Sequence, residues 1–351
     1  MKKYIVIPSG GIGGAEKRFF DIFTEMRKID KNIFLVLPYC LMERLVNGLD
    51  CTSVDGVIVL DVKSWSPLRF FFLLYKNVII KSRRDDSFHY PLNPPFFLHF
   101  YPLRRFSISF CYCVALPKFS LTQKGICLQW LASFFASKID ILNKNLFEKF
   151  QHTHPYLSEK SSLTPGGTFL SPFRGDIIER SYDFVFIARL EPSKGLQKLF
   201  EIMPIINDSF RHEPVSFHIF GEGSLETFLR TELKKLTDNG INVFYHGYTD
   251  SSAVLPITKT VLSLQEITNY PSRVVGEALA CGCEVIILDV GDSRAFGEHL
   301  GIYYLDEDFG NLQRLIDVVR LTDLRKRKFI SEQSKMRYSS RSYIDYYFNI
   351  I

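Results

Sequence analysis

Long apolar runs are missing from this 351-residue chain. A membrane-spanning helix needs about 18 or more consecutive apolar residues, and the longest candidates, Leu68 to Ile80 and Phe106 to Leu116, are interrupted or too short. The amino terminus opens on a charged pair and a strand-like run, without the apolar core and small-residue cleavage site of a signal peptide, so cytosolic residence is expected. Cysteine is sparse and odd in number, seven in all, and sits mostly inside apolar segments. That excludes a disulfide framework and fits reduced, core-filling thiols. The pairs Cys111/Cys113 and Cys281/Cys283 have no further Cys or His at ligand spacing, so no metal site is expected from them. Sequence repeats, low-complexity tracts and nucleic-acid recognition motifs are also lacking, and no nucleic-acid partner is expected.

The hydrophobic fraction of 46% over this length supports two substantial cores, hence two domains. Charge is divided unevenly. Residues 1–170 hold 22 Lys and Arg against 13 Asp and Glu, a net +9, whereas residues 171–351 come to −4. A basic, aromatic-rich first half suits an anionic membrane face or a lipid-diphosphate; ordinary solvated cations account for it equally well.

Apolar strand-like runs alternate with helical periodicity throughout, which predicts parallel sheets covered on both faces. In the first half strands are expected at Tyr4 to Pro8, Ile33 to Pro38, Gly56 to Asp61, Asn77 to Lys81, Phe106 to Cys113 and Lys138 to Leu142. Helices are expected from Gly14 to Lys28, Pro67 to Lys76 and Gln123 to Phe135. The Pro- and aromatic-rich stretch Ser87 to Leu103 reads as a long loop, and Ser161 to Arg180 as a linker. The domains are therefore placed at 1–165 and 166–335. Alternation restarts with strands at Phe184 to Arg189, Val215 to Phe220, Val243 to His246, Thr260 to Leu264, Val285 to Asp289 and Ile302 to Leu305. Lys326 to Phe348 reads as a terminal helical segment.

Three strand-to-turn segments carry chemistry. After the apolar run from Asp183, Arg189 and Lys194 stand at a strand's carboxyl end and a helix start, where two cations can hold a diphosphate; the plain alternative is surface ion pairing. The run from Phe217 ends in the Gly221/Gly223 turn. The stretch Asn269 to Glu277 reads as a loop opening a helix, with Ser272 and Arg273 at a helix start suited to phosphate or sugar. Glu277 is a carboxylate able to accept from a vicinal diol, or simply a dipole-favoured helix residue. In the first half, the loop Gly10 to Gly14 follows a strand and opens a helix. It fails the dinucleotide fingerprint, because Glu16 occupies the third glycine position and the second strand ends at Pro38 and Tyr39 without an acid.

Taken in order, Ala188-Arg189-Leu190, Lys194-Gly195, Phe220-Gly221-Glu222-Gly223, His246-Gly247 and Asn269 through Gly282 resemble the carboxyl-terminal half of glycosyltransferase family 4, and Gly10 to Glu16 matches that family's first loop. The resemblance implies a GT-B fold: two Rossmann-like, doubly wound α/β domains facing a central cleft. It implies an acceptor-binding first domain, a nucleotide-sugar-binding second domain, and a segment 336–351 that packs back on the first. It assigns Arg189 and Lys194 to the departing nucleoside diphosphate, Gly13 and Gly14 to the donor diphosphate or acceptor side, and Gly221, Gly223 and His246 to the wall around the base. Ser272 and Arg273 then meet phosphate or sugar, and Glu277 meets the ribose. The family pattern has glutamates at both ends of the Asn269 to Glu277 stretch, so Asn269 stands where a glutamate contacts the donor sugar.

The implied activity is a retaining, metal-independent transfer of a sugar from a UDP- or GDP-sugar to a glycan or lipid-linked acceptor, in surface polysaccharide assembly, with the sugar nucleotide as substrate and no cofactor. Asp306 and Asp308 match an Asp-x-Asp pattern formally, but an acidic helix start accounts for them. Peripheral contact with the inner membrane face is compatible with the basic first half. A first-domain histidine, His89 or His99, is a candidate near the transferred sugar. Two other classes share the architecture: a sugar-nucleotide epimerase or hydrolase, and a non-catalytic partner subunit, the latter suggested by Asn269.

Overall fold

The structure is a computed structural model and describes residues 1–45, 54–91, 107–112, 136–142, 144–153, 158–164, 180–338 and 340–351. The chain divides into two compact units, Met1–Pro165 with Ser340–Ile351, and Gly166–Ser339.

In the first unit, strands β1 (Lys3–Val6), β2 (Ile33–Pro38), β3 (Val57–Leu60), β4 (Ser87–Tyr90), β5 (Ser107–Tyr112), β6 (Lys138–Ile141) and β7 (Ser161–Leu163) form one parallel sheet in the order β3-β2-β1-β4-β5-β6-β7. Helix α1 (Gly14–Ile29) buries Phe19, Ile22, Phe23 and Met26, the i, i+3, i+4, i+7 stripe of an amphipathic helix. Helix α2 (Tyr39–Leu45) follows β2 directly. Helix α3 (Pro67–Asn77) is capped by the Ser66 side chain, has Pro67 in its first turn, and buries Phe70, Phe71 and Leu74. Helix α4 (Lys144–Thr153) follows β6.

Helices α5 (Leu196–Ser209), α6 (Glu226–Asp238), α7 (Ser251–Val254), α8 (Arg273–Ala280), α9 (Leu312–Arg320) and α10 (Leu324–Arg337) belong to the second unit, and α11 (Ser340–Ile350) to the first. Strands β8 (Tyr182–Ile187), β9 (Ser216–Phe220), β10 (Asn242–Tyr245), β11 (Thr258–Ser263), β12 (Glu284–Leu288) and β13 (Ile302–Leu305) run parallel in the order β10-β9-β8-β11-β12-β13. This is the doubly wound order of a Rossmann sheet, with its topological switch between β8 and β11. Because both faces are covered, the inner strands β8 and β12 carry the apolar runs Phe184–Ile187 and Val285–Leu288. Phe184 and Phe186 pack in one cluster with Leu199 and Met203 of α5 and Ile316 of α9; Val285 and Ile287 pack in another with Val275 and Leu279 of α8 and Ile330 of α10. The α/β class with two parallel, doubly wound sheets is thus the one the alternation predicts.

Several expectations are corrected. Ser87–Tyr90 is a fully buried strand, not the start of a loop. Its polar groups hid it, but Ser87 Oγ donates to the Ile351 carbonyl (2.9 Å) and His89 Nδ1 pairs with Ser109 Oγ (2.9 Å). The run at Asn77 to Lys81 is the end of α3 and a 3-10 turn, because the Val78 N–H still donates to Leu74 in the helical ladder. Ser161–Leu163, inside the expected linker, pairs with β6 as an edge strand. Lys326 to Phe348 is two helices, α10 and α11, assigned to different units. The acidic triplet Asp306 to Asp308 forms a turn, and α9 starts only at Leu312, after Asn311. The helix expected at Gln123 to Phe135 and the remainder of the loop from 92 to 103, with His99, lie outside the described residues.

Helix α11 is held to the first unit by a buried polar network. The fully buried Asp140 carboxylate accepts from Thr164 Oγ1 (2.5 Å), Tyr346 Oη (2.5 Å) and Tyr347 Oη (2.9 Å). Arg18 donates to Tyr347 Oη at 2.8 Å and lies over the rings of Tyr343 and Tyr347.

Candidate functional site

In an open parallel sheet, ligands bind beyond the carboxyl ends of the strands at the topological switch. In the second unit that point lies between the ends of β8 and β11, and Arg189 and Lys194 lie in the segment leaving β8. Lys194 closes a 3-10 turn, and its Nζ donates to Gln265 Oε1 at 2.8 Å, directly across the switch. The Glu266 N–H donates to the Ser193 carbonyl at 3.1 Å, locking the same two loops through the backbone. Burial lowers the Lys194 pKa, with the Arg189 charge adding to the effect and Glu191 opposing it. A cation short of compensating charge is poised for an anion. Arg189 is mostly exposed and pairs with Glu191 at 3.1 Å, a solvent-screened contact an incoming anion can displace.

The glycines here are dictated by close backbone approach. Gly195 caps α5 with φ 84°, and a Cβ on it would stand 1.9 Å from the Leu264 carbonyl oxygen. Gly221 has φ 132°, and a Cβ there would meet the Ala188 carbonyl oxygen at 1.8 Å. A Cβ on Gly223, in the same turn after β9, would stand 2.4 Å from the Leu190 carbonyl oxygen. The three turns are thereby pressed together around the end of β8, where the amino terminus of α5 begins at Gly195.

Asn269 lies in the loop after β11 and is buried. Its side-chain oxygen accepts from Ser263 Oγ (2.8 Å) and the Gln265 N–H (3.2 Å), while Nδ2 donates to the Leu288 carbonyl (2.9 Å), the Gln265 carbonyl (3.3 Å) and Ser293 Oγ (3.2 Å). Only a group with both a donor and an acceptor end can satisfy this set. A carboxylate on the same atoms would aim a negative oxygen at two carbonyls, which supplies a physical reason for the amide in this chain. Through Gln265, the residue is one link away from Lys194.

Glu277 lies on α8, buried. Ser251 Oγ donates to its Oε2 at 2.7 Å and Arg273 Nε to its Oε1, so both oxygens are engaged and the Arg273 guanidinium folds back along its own helix. Ser272 occupies the N-cap position of α8 without a side-chain capping bond to that helix. His246 follows β10. Its Nε2 meets His218 Nδ1 at 2.9 Å and its ring stacks on Phe220 at 4.5 Å, part of a ladder that continues through Tyr182 and Phe244. Burial, then the neighbouring His246, takes the His218 pKa down to about 4.

Gly13 and Gly14 belong to the first unit, where Gly13 is the N-cap of α1 and a Cβ on it would lie 2.9 Å from the Glu16 carboxylate. Glu16 in turn accepts from Ser9 Oγ at 2.8 Å. His89, offered by the sequence near the sugar, is a fully buried core imidazole beside Phe19 and Tyr347, its pKa lowered by burial to about 4. The structure thus gathers Arg189, Lys194, Gly221, Gly223 and Asn269 at one sheet end, with Gln265 linking Lys194 to Asn269. Gln265, Ser251 and Ser293 escaped the sequence reading. Only their place after β11, at the start of α7 and after β12 marks them, and that needs the strand order.

A cavity of about 740 Å³ lies elsewhere, lined by Asp183, Lys259 and Arg327 among others, at the amino-terminal ends of β8 and β11. Its position opposite the switch loops removes it from the chemistry above.

The family model described as "Glycosyl transferases group 1" matches residues 181–310. No curated protein matches the chain by sequence. Among solved structures, Anabaena HepE in complex with UDP is similar over 99% of each chain at 17% identity and a TM-score of 0.72. WaaG, a glycosyltransferase involved in lipopolysaccharide biosynthesis, is similar over 99% of each chain at 14% identity and a TM-score of 0.66. S. aureus TarM, in complex with UDP and α-GlcNAc-glycerol, is similar at 17% identity and a TM-score of 0.64, covering 82% of this chain and 59% of TarM. The chain therefore resembles the group 1 glycosyl transferases, with that family's signature in residues 181–310 and the GT-B fold.

Proposed function

We propose that this protein transfers a sugar from a nucleotide-diphosphate sugar to a glycan or lipid-linked acceptor, with retention and without a metal ion. The observation that carries the reading is Lys194 bridging the topological switch to Gln265, with Arg189 beside it and the Gly195, Gly221 and Gly223 turns opened by close backbone approach. A departing nucleoside diphosphate gains negative charge, and preplaced cations and helix N–H groups that meet it lower the barrier. Arg189 and Lys194 provide the positive charge that a divalent ion provides in metal-dependent sites. Retention follows from a front-side path in which the acceptor hydroxyl forms the new C1–O bond as the C1–O bond to phosphate breaks. Its proton passes to the leaving phosphate oxygen.

UDP complexes of HepE and TarM, together with the HepE complex with UDP-glucose, support a UDP-sugar donor. WaaG's part in lipopolysaccharide biosynthesis supports a surface-glycan acceptor, and the net +9 of residues 1–170 supports peripheral contact with an anionic membrane. The test is a thermal-shift series with UDP, UDP-glucose, UDP-N-acetylglucosamine and GDP-mannose, followed by transfer assays with the stabilising donor. Saturating ligand at about a hundredfold over Kd stabilises by about 2.7 kcal/mol. K194A and R189A should each lower turnover on the order of 10² to 10³, with the fold intact by circular dichroism. Donor cleavage to free sugar whatever the acceptor would favour a hydrolase, and wild-type turnover in both variants would remove these cations from the mechanism.

A further inference from the structure

Helix α3 presents apolar side chains on both sides. Phe70, Phe71 and Leu74 enter the core, yet Leu68 is 84% exposed, Phe72 66% and Tyr75 38%. At about 100° per residue, the i, i+4, i+7 spacing of these last three puts them in one outward stripe about 60° wide. Ile80, in the 3-10 turn that continues the helix, is 63% exposed. Single exposed hydrophobics are ordinary, but a contiguous patch marks an interaction surface.

The charge around the stripe states what it faces. Between residues 61 and 86, Lys63, Arg69, Lys76, Lys81, Arg83 and Arg84 are all exposed, against two exposed carboxylates, Asp61 and Asp85. The third acid, Asp86, is buried and accepts from the Lys2 and Arg83 backbone N–H groups. Asp61 is taken by Arg69 at 3.2 Å, so the acidic side is nearly silent. An apolar stripe of Leu, Phe and Tyr flanked by Lys and Arg is the pattern of a helix lying in the plane of a membrane interface, where apolar side chains enter the acyl boundary and cations meet anionic headgroups.

We infer that α3 and the turn to Arg84 form the surface by which this protein lies on an anionic lipid bilayer, with Leu68, Phe72, Tyr75 and Ile80 inserted and Lys76, Lys81, Arg83 and Arg84 held at the headgroups. This deepens the membrane contact proposed above and rests on that reading only for its purpose, namely bringing the enzyme to a lipid-linked acceptor.

The test is co-sedimentation of the full chain with vesicles of phosphatidylcholine, with and without phosphatidylglycerol, and with no sugar nucleotide present. Wild type sediments with the anionic vesicles only and is released by salt. L68S/F72S, at exposed positions outside the nucleotide site, should weaken binding at least about tenfold, from two lost apolar insertions. K76E/K81E should weaken it comparably, and L321S, at an exposed leucine of the second unit, should leave it unchanged. Circular dichroism and the UDP thermal shift should stay at wild-type values in all three variants, so a failure of docking is separable from a failure of the donor reading. The inference is overturned if wild type ignores anionic vesicles or if L68S/F72S binds as wild type does. It is overturned equally if sedimentation velocity shows a wild-type dimer that L68S/F72S dissolves, since the stripe would then cover a second copy of the chain.

Discussion

Replacing Asn269 by aspartate changes one NH2 group to an oxygen and nothing else in shape. The three acceptors that Nδ2 now satisfies are the Leu288 carbonyl at 2.9 Å, Ser293 Oγ at 3.2 Å and the Gln265 carbonyl at 3.3 Å. Ser293 Oγ already donates to the Val290 carbonyl at 2.6 Å and cannot turn to the new oxygen without leaving it, so this hydroxyl and the two carbonyls each face a negative oxygen. The Leu288 carbonyl keeps the Val290 N–H at 3.0 Å, so the cost is that of a buried carboxylate with one oxygen paired to Ser263 and the Gln265 N–H and the other held against acceptors, about 3 kcal/mol. At about 2–4 °C per kcal/mol for a unit of this size, N269D should melt roughly 10 °C below wild type near pH 8. The sign of the pH dependence follows from the same contacts. Burial against carbonyls raises the variant's folded-state aspartate pKa above its unfolded value of about 3.9. Its penalty therefore grows as pH rises through that window and shrinks in acid, where a protonated carboxyl donates again. Calorimetric melts at about pH 8 and about pH 5 measure both effects. A variant as stable as wild type at both values would refute the clamp described for Asn269. N269E, which restores the family pattern's residue, buries a charge on a side chain one methylene longer and lacks the Nδ2 donor, so it too should melt below wild type.

Gly195→Ala adds a methyl 1.9 Å from the Leu264 carbonyl in a left-handed backbone; it should lower stability by more than about 1 kcal/mol and abolish UDP-dependent stabilisation, both read in one thermal-shift experiment. His218 is kept neutral by burial, with a folded pKa near 4 against 6.5 unfolded. Its contribution to stability is complete above 6.5 and is lost as pH falls toward 4, so a melting-temperature profile over that window should slope less for H218F than for wild type. Tyr347→Phe removes the hydroxyl shared by Arg18 and Asp140, and urea unfolding of the first unit should shift by about 1–3 kcal/mol.

The α/β class was legible because a sheet buried on both faces writes itself as apolar runs, as in Phe184 to Ile187 and the Val285 to Leu288 stretch. β4 was illegible for the opposite reason. Ser87 and His89 look like loop residues until their partners are known, and those are Ile351, 264 positions away, and Ser109. The same distinction runs through the site. Arg189 and Lys194 stand out where a strand meets a helix, but Gln265 becomes visible only when β8 and β11 are neighbours, which no local pattern encodes. Asn269 was conspicuous as a departure from a pattern; its role depended on carbonyls from β12 and the turn at Ser293. Glu277 reads in sequence as an open ligand, whereas the structure has Ser251 and Arg273 already on its oxygens.

The return of α11 has a consequence for biogenesis. Two hydroxyls that neutralise the demand of Asp140 arrive 206 and 207 residues after it, once all of the second unit has been translated. On the ribosome, the earlier-made lobe is therefore expected to wait for its last helix while the later-made one closes, a reversal of the usual amino-to-carboxyl order. Nascent-chain stalling just before Ser340 should leave the opening lobe protease-sensitive beside a finished neighbour.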